Sequence, residues 1–158
     1  CEEGVFEVIP PAVPGEEWQV VQVLANPASD AVYVDLDGDG VEELATIEPF
    51  HGTDFVVYGR QDGEFVPIYR HPDQMEFLHA IWAGELDGEP AIIAGYRGLA
   101  KDLFLLRWRD GGVVAEVIEH GGGPSNVTVV DSHGRPRLLV ANRESHQAVF
   151  FDPEPEEE

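Results

Sequence analysis

Residues 35–44 read DLDGDGVEEL, with three aspartates at alternate positions, two glycines, and a pair of glutamates that runs into an apolar residue. Carboxylates at positions 1, 3 and 5 of a tight loop converge on one point, and glycine at position 6 permits a sharp turn. Three like charges so close together repel unless a cation lies between them. Because oxygen-only ligation suits a hard cation, the stretch predicts a Ca²⁺ site.

The loop is not an EF-hand. Such a loop needs Glu at position 12 and a helix on each side, but position 12 is Thr46 and apolar strand-like runs flank the loop. Glu43, at position 9, stands where a hairpin version of the loop would place its closing carboxylate. The predicted ligands are Asp35, Asp37, Asp39, the backbone carbonyl of Val41, and Glu43. The alternative is an Asp/Gly-rich turn that holds no metal.

The Asp-rich loop also marks the first unit of an internal sequence repeat. Residues 31–49 (AVYVDLDGDGVEELATIEP), 80–97 (AIWAGELDGEPAIIAGYR) and 127–143 (VTVVDSHGRPRLLVANR) each read as an apolar strand, a Gly-containing turn and a second apolar strand. The repeat spacing is roughly 46 to 50 residues, the length of one four-stranded propeller blade. The second and third turns keep too few carboxylates for a metal site, so only the first is expected to bind one.

Each unit continues with a polar loop and a third strand, and the first two units add a hairpin and a fourth strand. The sequence therefore predicts an all-β fold of about three four-stranded antiparallel blades over residues 1–152, forming a partial ring or one closed by an oligomer. VFEVIPP and EWQVVQVL predict two strands of a preceding blade, and EWQVVQVL is also a candidate for the outer strand that the third unit lacks. Residues 153–158 predict a disordered acidic tail.

Charge narrows the classes of partner. Nine basic residues against 31 acidic ones give a formal net charge of −22, which repels phosphate backbones and anionic membranes. We therefore expect no nucleic-acid partner. The chain shows no apolar run of membrane-spanning length and no signal peptide, so membrane insertion is not expected and the compartment stays open.

DLDGDGVEEL between two strands of a repeating unit resembles the D-x-D-x-D-G-x-x-[DE] loop of FG-GAP/VCBS-type propeller repeats, which also occur in integrin α-subunit propellers. EPFHGTDFVVY, HAIWAGEL, AGYR, GGGPSNV and ANRES extend the similarity to the C-terminal half of bacterial FG-GAP/VCBS-repeat proteins of unassigned function. The resemblance implies a calcium-stabilised propeller, and it implies no activity.

Strand order predicts which side of the molecule carries the remaining polar residues. Turns between strands one and two, and three and four, share one side, whereas the other connections lie opposite. Most of the histidines fall in those other connections, away from the Asp-rich loop. The candidate ligand-binding residues are Asp30, His51, His79, Arg97, His120, Asn126 and Arg143. Turn formation or simple solvation is the alternative role for each of them.

Three functions fit these residues. The favoured one is a calcium-stabilised binding module for a saccharide or another small polar or anionic ligand, in which two arginines could hold a carboxylate. The second is a sugar-active lyase or dehydratase that uses the histidines as acid, base or metal ligands. The third is a protein-association propeller, either as a homodimer or as part of a longer ring.

Overall fold

The computed structural model of the chain describes residues 2–132 and 134–152. It contains thirteen strands, and the described residues include no helix. The strands are β1 (Val5–Ile9), β2 (Gln19–Leu24), β3 (Asp30–Val34), β4 (Glu43–Glu48), β5 (Asp54–Gln61), β6 (Glu64–Arg70), β7 (Leu78–Leu86), β8 (Glu89–Tyr96), β9 (Leu103–Arg109), β10 (Gly112–Glu119), β11 (Pro124–Asp131), β12 (Pro136–Asn142) and β13 (Gln147–Phe151).

The strands form four open antiparallel sheets in chain order. Sheet I contains β1 and β2, sheet II contains β3 to β6, sheet III contains β7 to β10, and sheet IV contains β11 to β13. Within each sheet every strand pairs with the next one along the chain, so each sheet is a simple meander. Short turns such as Asp62–Gly63 and Asp87–Gly88, with positive φ at both residues, provide the twist that two-residue hairpins need.

The sheets bury their faces against one another. Between sheets II and III lies a core that includes Ile47, Phe55, Ile92 and Phe104, each at most 1% exposed. A second core between sheets III and IV includes Val140. The second strands of sheets II and III, β4 and β8, are buried on both sides, and β8 accordingly carries an uninterrupted apolar run over residues 90–96.

The first strands of consecutive sheets are neighbours. Strand β3 lies beside β7, and β7 lies beside β11, while the outer strands β6 and β10 also come into contact. The three larger sheets are therefore arranged side by side with their first strands together. This arrangement places the start of each sheet near the start of the next.

The structure confirms the predicted all-β class and the predicted strands of all three repeated units. The two N-terminal segments, VFEVIPP and EWQVVQVL, form consecutive paired strands, as predicted, because β2 pairs with β1. The alternative role of EWQVVQVL is wrong: sheet IV consists of β11, β12 and β13, so β2 does not supply its outer strand. The register of β1 on β2 places Glu7 towards sheet II, where it accepts a hydrogen bond from the Tyr33 hydroxyl at 2.8 Å. The predicted disordered tail, residues 153–158, lies outside the described residues.

The loops that follow the second strands and the connections between sheets are joined to each other. We call this side the connection face, formed by residues 49–53, 71–77, 97–102, 120–123 and 143–146. Backbone hydrogen bonds link each of these segments to the next sheet's connection or strand, such as the Gly98 N–H to the Glu76 carbonyl at 2.8 Å and the Arg143 N–H to the Gly123 carbonyl at 3.0 Å. The Asp-rich loop lies in a turn between first and second strands, away from this face.

Candidate functional site

The Asp-rich loop folds around its own carboxylates. Asp35 accepts hydrogen bonds from the Gly38 and Gly40 N–H groups at 2.9 and 3.0 Å, and Asp37 accepts one from the Asp39 N–H at 3.0 Å. Both glycines have positive φ, 77° and 89°, and this conformation lets the chain turn twice within the loop. One carboxylate oxygen from each aspartate lies within 4.8 Å of those of the other two. Such a group can hold a metal ion.

Glu43, predicted as the closing ligand, lies at the start of β4 and is not part of this group of three. Its carboxylate accepts a hydrogen bond from the Leu36 N–H at 2.7 Å, and the residue is only 5% exposed. Burial raises the pKa of Glu43, and the neighbouring aspartates raise it further, which means that all four carboxylates share one electrostatic environment. Val41 lies at the exposed end of the loop, where its N–H donates to Asp39 at 2.7 Å. Within residues 2–132 and 134–152, no other group of three or more potential metal ligands converges in this way.

On the connection face the structure brings His51 and His79 into contact. The Nδ1 atom of His51 lies 3.1 Å from the Nε2 atom of His79. One ring nitrogen must donate a proton and the other must accept it, so this geometry cannot hold two imidazolium ions. His79 occupies a β-bulge, because its neighbours Leu78 and Ala80 pair with consecutive residues of β8. The bulge turns the His79 side chain towards the loop that carries His51.

Two arginines lie beside the histidine pair. The pKa of His79 is lowered, first by burial and then by the positive charges of His51, Arg97 and Arg143. Arg97 is already paired with Glu144, at 3.2 Å between Nη2 and Oε1. No described residue accepts a hydrogen bond from the guanidinium group of Arg143, which is exposed. The site therefore holds a local positive potential in a chain of strongly negative net charge.

Aromatic side chains border the same place. Phe77 lies 5.7 Å from the His51 ring and 5.9 Å from the Arg97 guanidinium carbon, and Phe50 packs edge-on against His51 at 4.1 Å. Both phenylalanines are largely exposed, at 67% for Phe50 and 48% for Phe77. His51 and Phe77 also have positive φ, 58° and 54°, a strained conformation for a bulky side chain. Strain of this kind clusters at functional sites. We name this group the His–Arg cluster: Phe50, His51, Phe77, His79, Arg97, Arg143 and Glu144.

His120 belongs to a separate arrangement on the same face. Its Nδ1 atom lies 2.9 Å from Oδ1 of Asp102, and the Tyr96 hydroxyl donates to Oδ2 of that aspartate at 3.0 Å. The Asp102 side chain is 9% exposed, whereas the His120 side chain is 77% exposed. The buried carboxylate therefore fixes one ring nitrogen and leaves Nε2 facing solvent. This is the orientation that a general base requires.

The other two predicted ligand residues lie apart from the His–Arg cluster. Asp30 begins β3, and its carboxylate accepts a hydrogen bond from the Ala31 N–H at 2.9 Å. Asn126 is paired with Ala141 and is exposed on sheet IV. The bulge of β11 falls at Ser125, so Ser125 corresponds to the bulged His79, one residue before the position that the sequence alignment had matched to it.

A cavity of about 620 Å³ opens on the connection face, lined by residues 53–54 and 70–76 and by no residue of the His–Arg cluster. Its lining includes Asp54, Arg70 and Asp73, and Arg70 is paired with Asp54 at 2.8 Å. His71 forms part of the wall and is stacked on Phe104 at 4.4 Å; burial lowers the pKa of His71, and Asp73 opposes that effect. This lining carries net negative charge, which disfavours an anionic group there.

Several residues of these sites were not found from the sequence. Phe50, Phe77, Asp102 and Glu144 were not among the site residues predicted from the sequence. The signal for Phe50 was available, because a phenylalanine in the polar loop EPFHGT has no strand partner to pack against. Asp102 was not identifiable, because its contact with His120 spans a whole hairpin.

Comparison of the chain with protein-family models, with curated proteins and with solved structures produced no match in any of the three. A search of the described residues for helices that could cross a membrane also found none with the necessary length and apolar character.

Proposed function

We propose that this chain is a calcium-stabilised β-propeller segment that binds a small anionic ligand, such as an acidic sugar, at the His–Arg cluster. Sheets I to IV are its blades in this proposal, with β3, β7 and β11 as innermost strands. The side-by-side packing of those first strands supports it, because blades of a propeller meet at their first strands around a central axis. The repeated meander of sheets II and III supports it as well.

The observation that carries the binding proposal is the contact between His51 and His79 beside two arginines. Arg143 has a guanidinium group without a described partner, and a planar carboxylate can accept two parallel hydrogen bonds from it. The ring nitrogens of the histidine pair can exchange hydrogen bonds with hydroxyl groups. Phe50 and Phe77 supply the apolar surface against which the carbon face of a sugar ring packs.

Calcium has a structural role in this proposal. Asp35, Asp37 and Asp39 would hold the ion in the turn between β3 and β4, and the ion neutralises their mutual repulsion. Glu43 fixes the start of β4 beside them through its bond from the Leu36 N–H. The loop lies on the opposite side of sheet II from the His–Arg cluster, since β4 runs from Glu43 in the loop to Glu48 beside the cluster. The ion is therefore expected to stabilise the sheet without contacting the ligand.

Isothermal titration calorimetry with matched sugars tests the binding proposal. We expect glucuronate and galacturonate to bind, and glucose and galactose to bind at least about tenfold more weakly, because only the acids offer a carboxylate to Arg143. Arg143→Met should remove this preference. Equal heats for acidic and neutral sugars, or an unchanged preference in Arg143→Met, would contradict the proposal.

A matched control separates the site from general charge. Arg135 is another exposed arginine, and it lies at the turn between β11 and β12, away from the connection face. Arg135→Met removes the same charge from the same sheet. It should leave the affinity for glucuronate unchanged, whereas a loss equal to that of Arg143→Met would indicate a nonspecific electrostatic effect.

A second candidate function is an acid–base enzyme acting on a sugar, and the orientation of His120 by buried Asp102 is the observation that favours it. Nε2 of His120 would remove the proton from the carbon next to the carboxylate of a uronate residue, and the electron pair of that C–H bond would form a carbon–carbon double bond as the C–O bond to the neighbouring sugar breaks. The departing oxygen would take up a proton from water. The ultraviolet absorbance of an unsaturated uronate product reports this reaction directly. His120→Asn should abolish the product; absence of product with the parent chain on acidic polysaccharides would exclude this candidate.

A further inference from the structure

The contact between His51 and His79 limits how many protons the two rings can carry together. Nδ1 of His51 lies 3.1 Å from Nε2 of His79, so the contact needs a proton on one of these nitrogens and a lone pair on the other. A neutral pair meets this need. A pair with one added proton meets it as well, because an imidazolium ring can donate to a neutral one. Two added protons would break the contact, so the pair can take up one proton without rearrangement.

The segments next to the pair carry charged or titratable side chains. These are Asp30 at the start of β3, Glu76 before β7, Arg97 after β8, and Arg143, Glu144 and His146 after β12. Asp30 accepts a hydrogen bond from the main chain, and Glu144 is paired with Arg97. The Glu76 carboxylate lies against Gly98, where an added β-carbon would be 3.0 Å from Oε2. In the described part of the chain, none of these three carboxylates is hydrogen-bonded to either histidine ring.

Positive charge opposes protonation of the pair while the site is free of ligand. Burial lowers the pKa of His79, and the charges of His51, Arg97 and Arg143 lower it further. The His79 ring is therefore uncharged near neutral pH. An anion held by Arg143 changes this balance, because its negative charge offsets the guanidinium charges and favours a positive charge on the neighbouring rings.

We infer that the His–Arg cluster takes up one proton when it binds an anionic ligand, and that the contact between His51 and His79 holds this proton. The inference rests on the proposed function, because it describes how pH controls binding at the same site. Linkage makes the effect reciprocal: a ligand that favours the protonated pair binds more tightly once the pair is protonated. Affinity for an anion should therefore rise as pH falls, until the free pair is protonated as well.

Calorimetry with glucuronate at pH 6, in two buffers of different ionisation enthalpy, measures the number of protons taken up on binding. We expect uptake of about 0.5–1 proton, and an affinity about tenfold higher at pH 5 than at pH 8 if the bound anion raises the pKa of His79 by one unit. The sugar itself does not titrate over this range, because an ordinary carboxyl group has a pKa of about 4.

A matched pair of variants locates the proton. His51 and His146 each lie in the loop after the second strand of their sheet, and both have φ of 58°, which asparagine tolerates. The double variant His51→Asn/His79→Gln should bind glucuronate with no proton uptake and with an affinity that does not change from pH 8 to pH 5. The control His146→Asn should keep the proton uptake of the parent. Circular dichroism checks that both variants fold.

A titration of the parent chain by nuclear magnetic resonance gives a readout that needs no variant. Glucuronate, but not glucose, should move the titration midpoints of the His51 and His79 ring signals to higher pH. Midpoints that stay in place, or proton uptake that persists in the double variant, would overturn the inference. Glucuronate binding that is independent of buffer and pH would overturn it and leave the anion site standing. Absence of glucuronate binding at both pH 8 and pH 5 would overturn the inference and the proposed function together.

Discussion

Replacement of Asp37 by asparagine should change the stability of this chain in opposite directions with and without calcium. The Asp37 carboxylate accepts a hydrogen bond from the Asp39 N–H at 3.0 Å. An asparagine side-chain oxygen can accept the same bond, so the turn keeps its hydrogen bond and loses one negative charge. The substitution therefore isolates the charge of one predicted calcium ligand.

The expected magnitudes follow from the spacing of the carboxylates. Two unit charges 4.8 Å apart repel by about 1 kcal/mol in water, and salt screens part of that energy. Asp37→Asn removes two such repulsions, so without calcium the variant should be more stable than the parent by about 1 kcal/mol. Calcium at about 100 times its dissociation constant stabilises the parent by about 2.7 kcal/mol, or about 5–10 °C in Tm for a chain of this size.

Thermal unfolding followed by circular dichroism, in EDTA and in calcium chloride, measures both effects. The order of the two Tm values should reverse between these conditions, because the variant binds calcium with one negative charge fewer and therefore more weakly. Asp62→Asn is the matched control, since Asp62 lies in the β5–β6 turn with φ of 52°, which asparagine tolerates. A parent Tm that is the same in both buffers, or equal responses of the two variants, would refute the calcium site.

Three further predictions concern the sheets that carry the sites. In urea titrations, Phe104→Ala should lower the free energy of unfolding by about 3–5 kcal/mol, because the Phe104 ring fills the core between sheets II and III. The control Val114→Ala removes part of an exposed side chain and should change this free energy by less than about 0.5 kcal/mol. Gly95→Ala should destabilise the chain, because a β-carbon there would lie 2.3 Å from a proline ring carbon, while Gly112→Ala meets no atom within 4 Å and serves as its control in the same urea titrations. Burial lowers the pKa of His71 in the folded chain. As pH falls below about 6.5 the unfolded chain therefore takes up a proton first, and the free energy of unfolding declines until the folded pKa is reached. Urea midpoints measured from pH 8 to pH 5 should show this decline in the parent and a smaller decline in His71→Gln.

The repeated units could be read from sequence because each first strand ends in a Gly-containing turn of similar length. That alignment placed β3, β7 and β11 correctly, together with the strands that follow them. The pairing of EWQVVQVL could not be read in the same way. An apolar strand is compatible with any free edge, and only the register with VFEVI, including a bulge after Val5, decides that β2 stays with β1.

The sequence predicted which face of the molecule carries the candidate site, but not the contacts within the site. Strand direction alone places His51 and His79 on the same side as Arg97 and Arg143. Their contact depends on the bulge at His79, which turns the side chain by one position and leaves no mark in the residue pattern. The same uncertainty of one residue explains why Asn126 was aligned with His79 although Ser125 occupies the bulge of β11.

The backbone hydrogen bonds of the connection face have a consequence for how this protein can diversify. The loops that carry His51, Phe77, Arg97 and Arg143 are joined to neighbouring segments through main-chain N–H and carbonyl groups, so the paths of these loops depend little on which side chains they bear. Under the proposed function, exchanges among exposed side chains such as Phe50 and Arg143 should then alter ligand preference while the scaffold is retained. A mutant library confined to those exposed positions is a practical starting point for engineering new recognition on this fold.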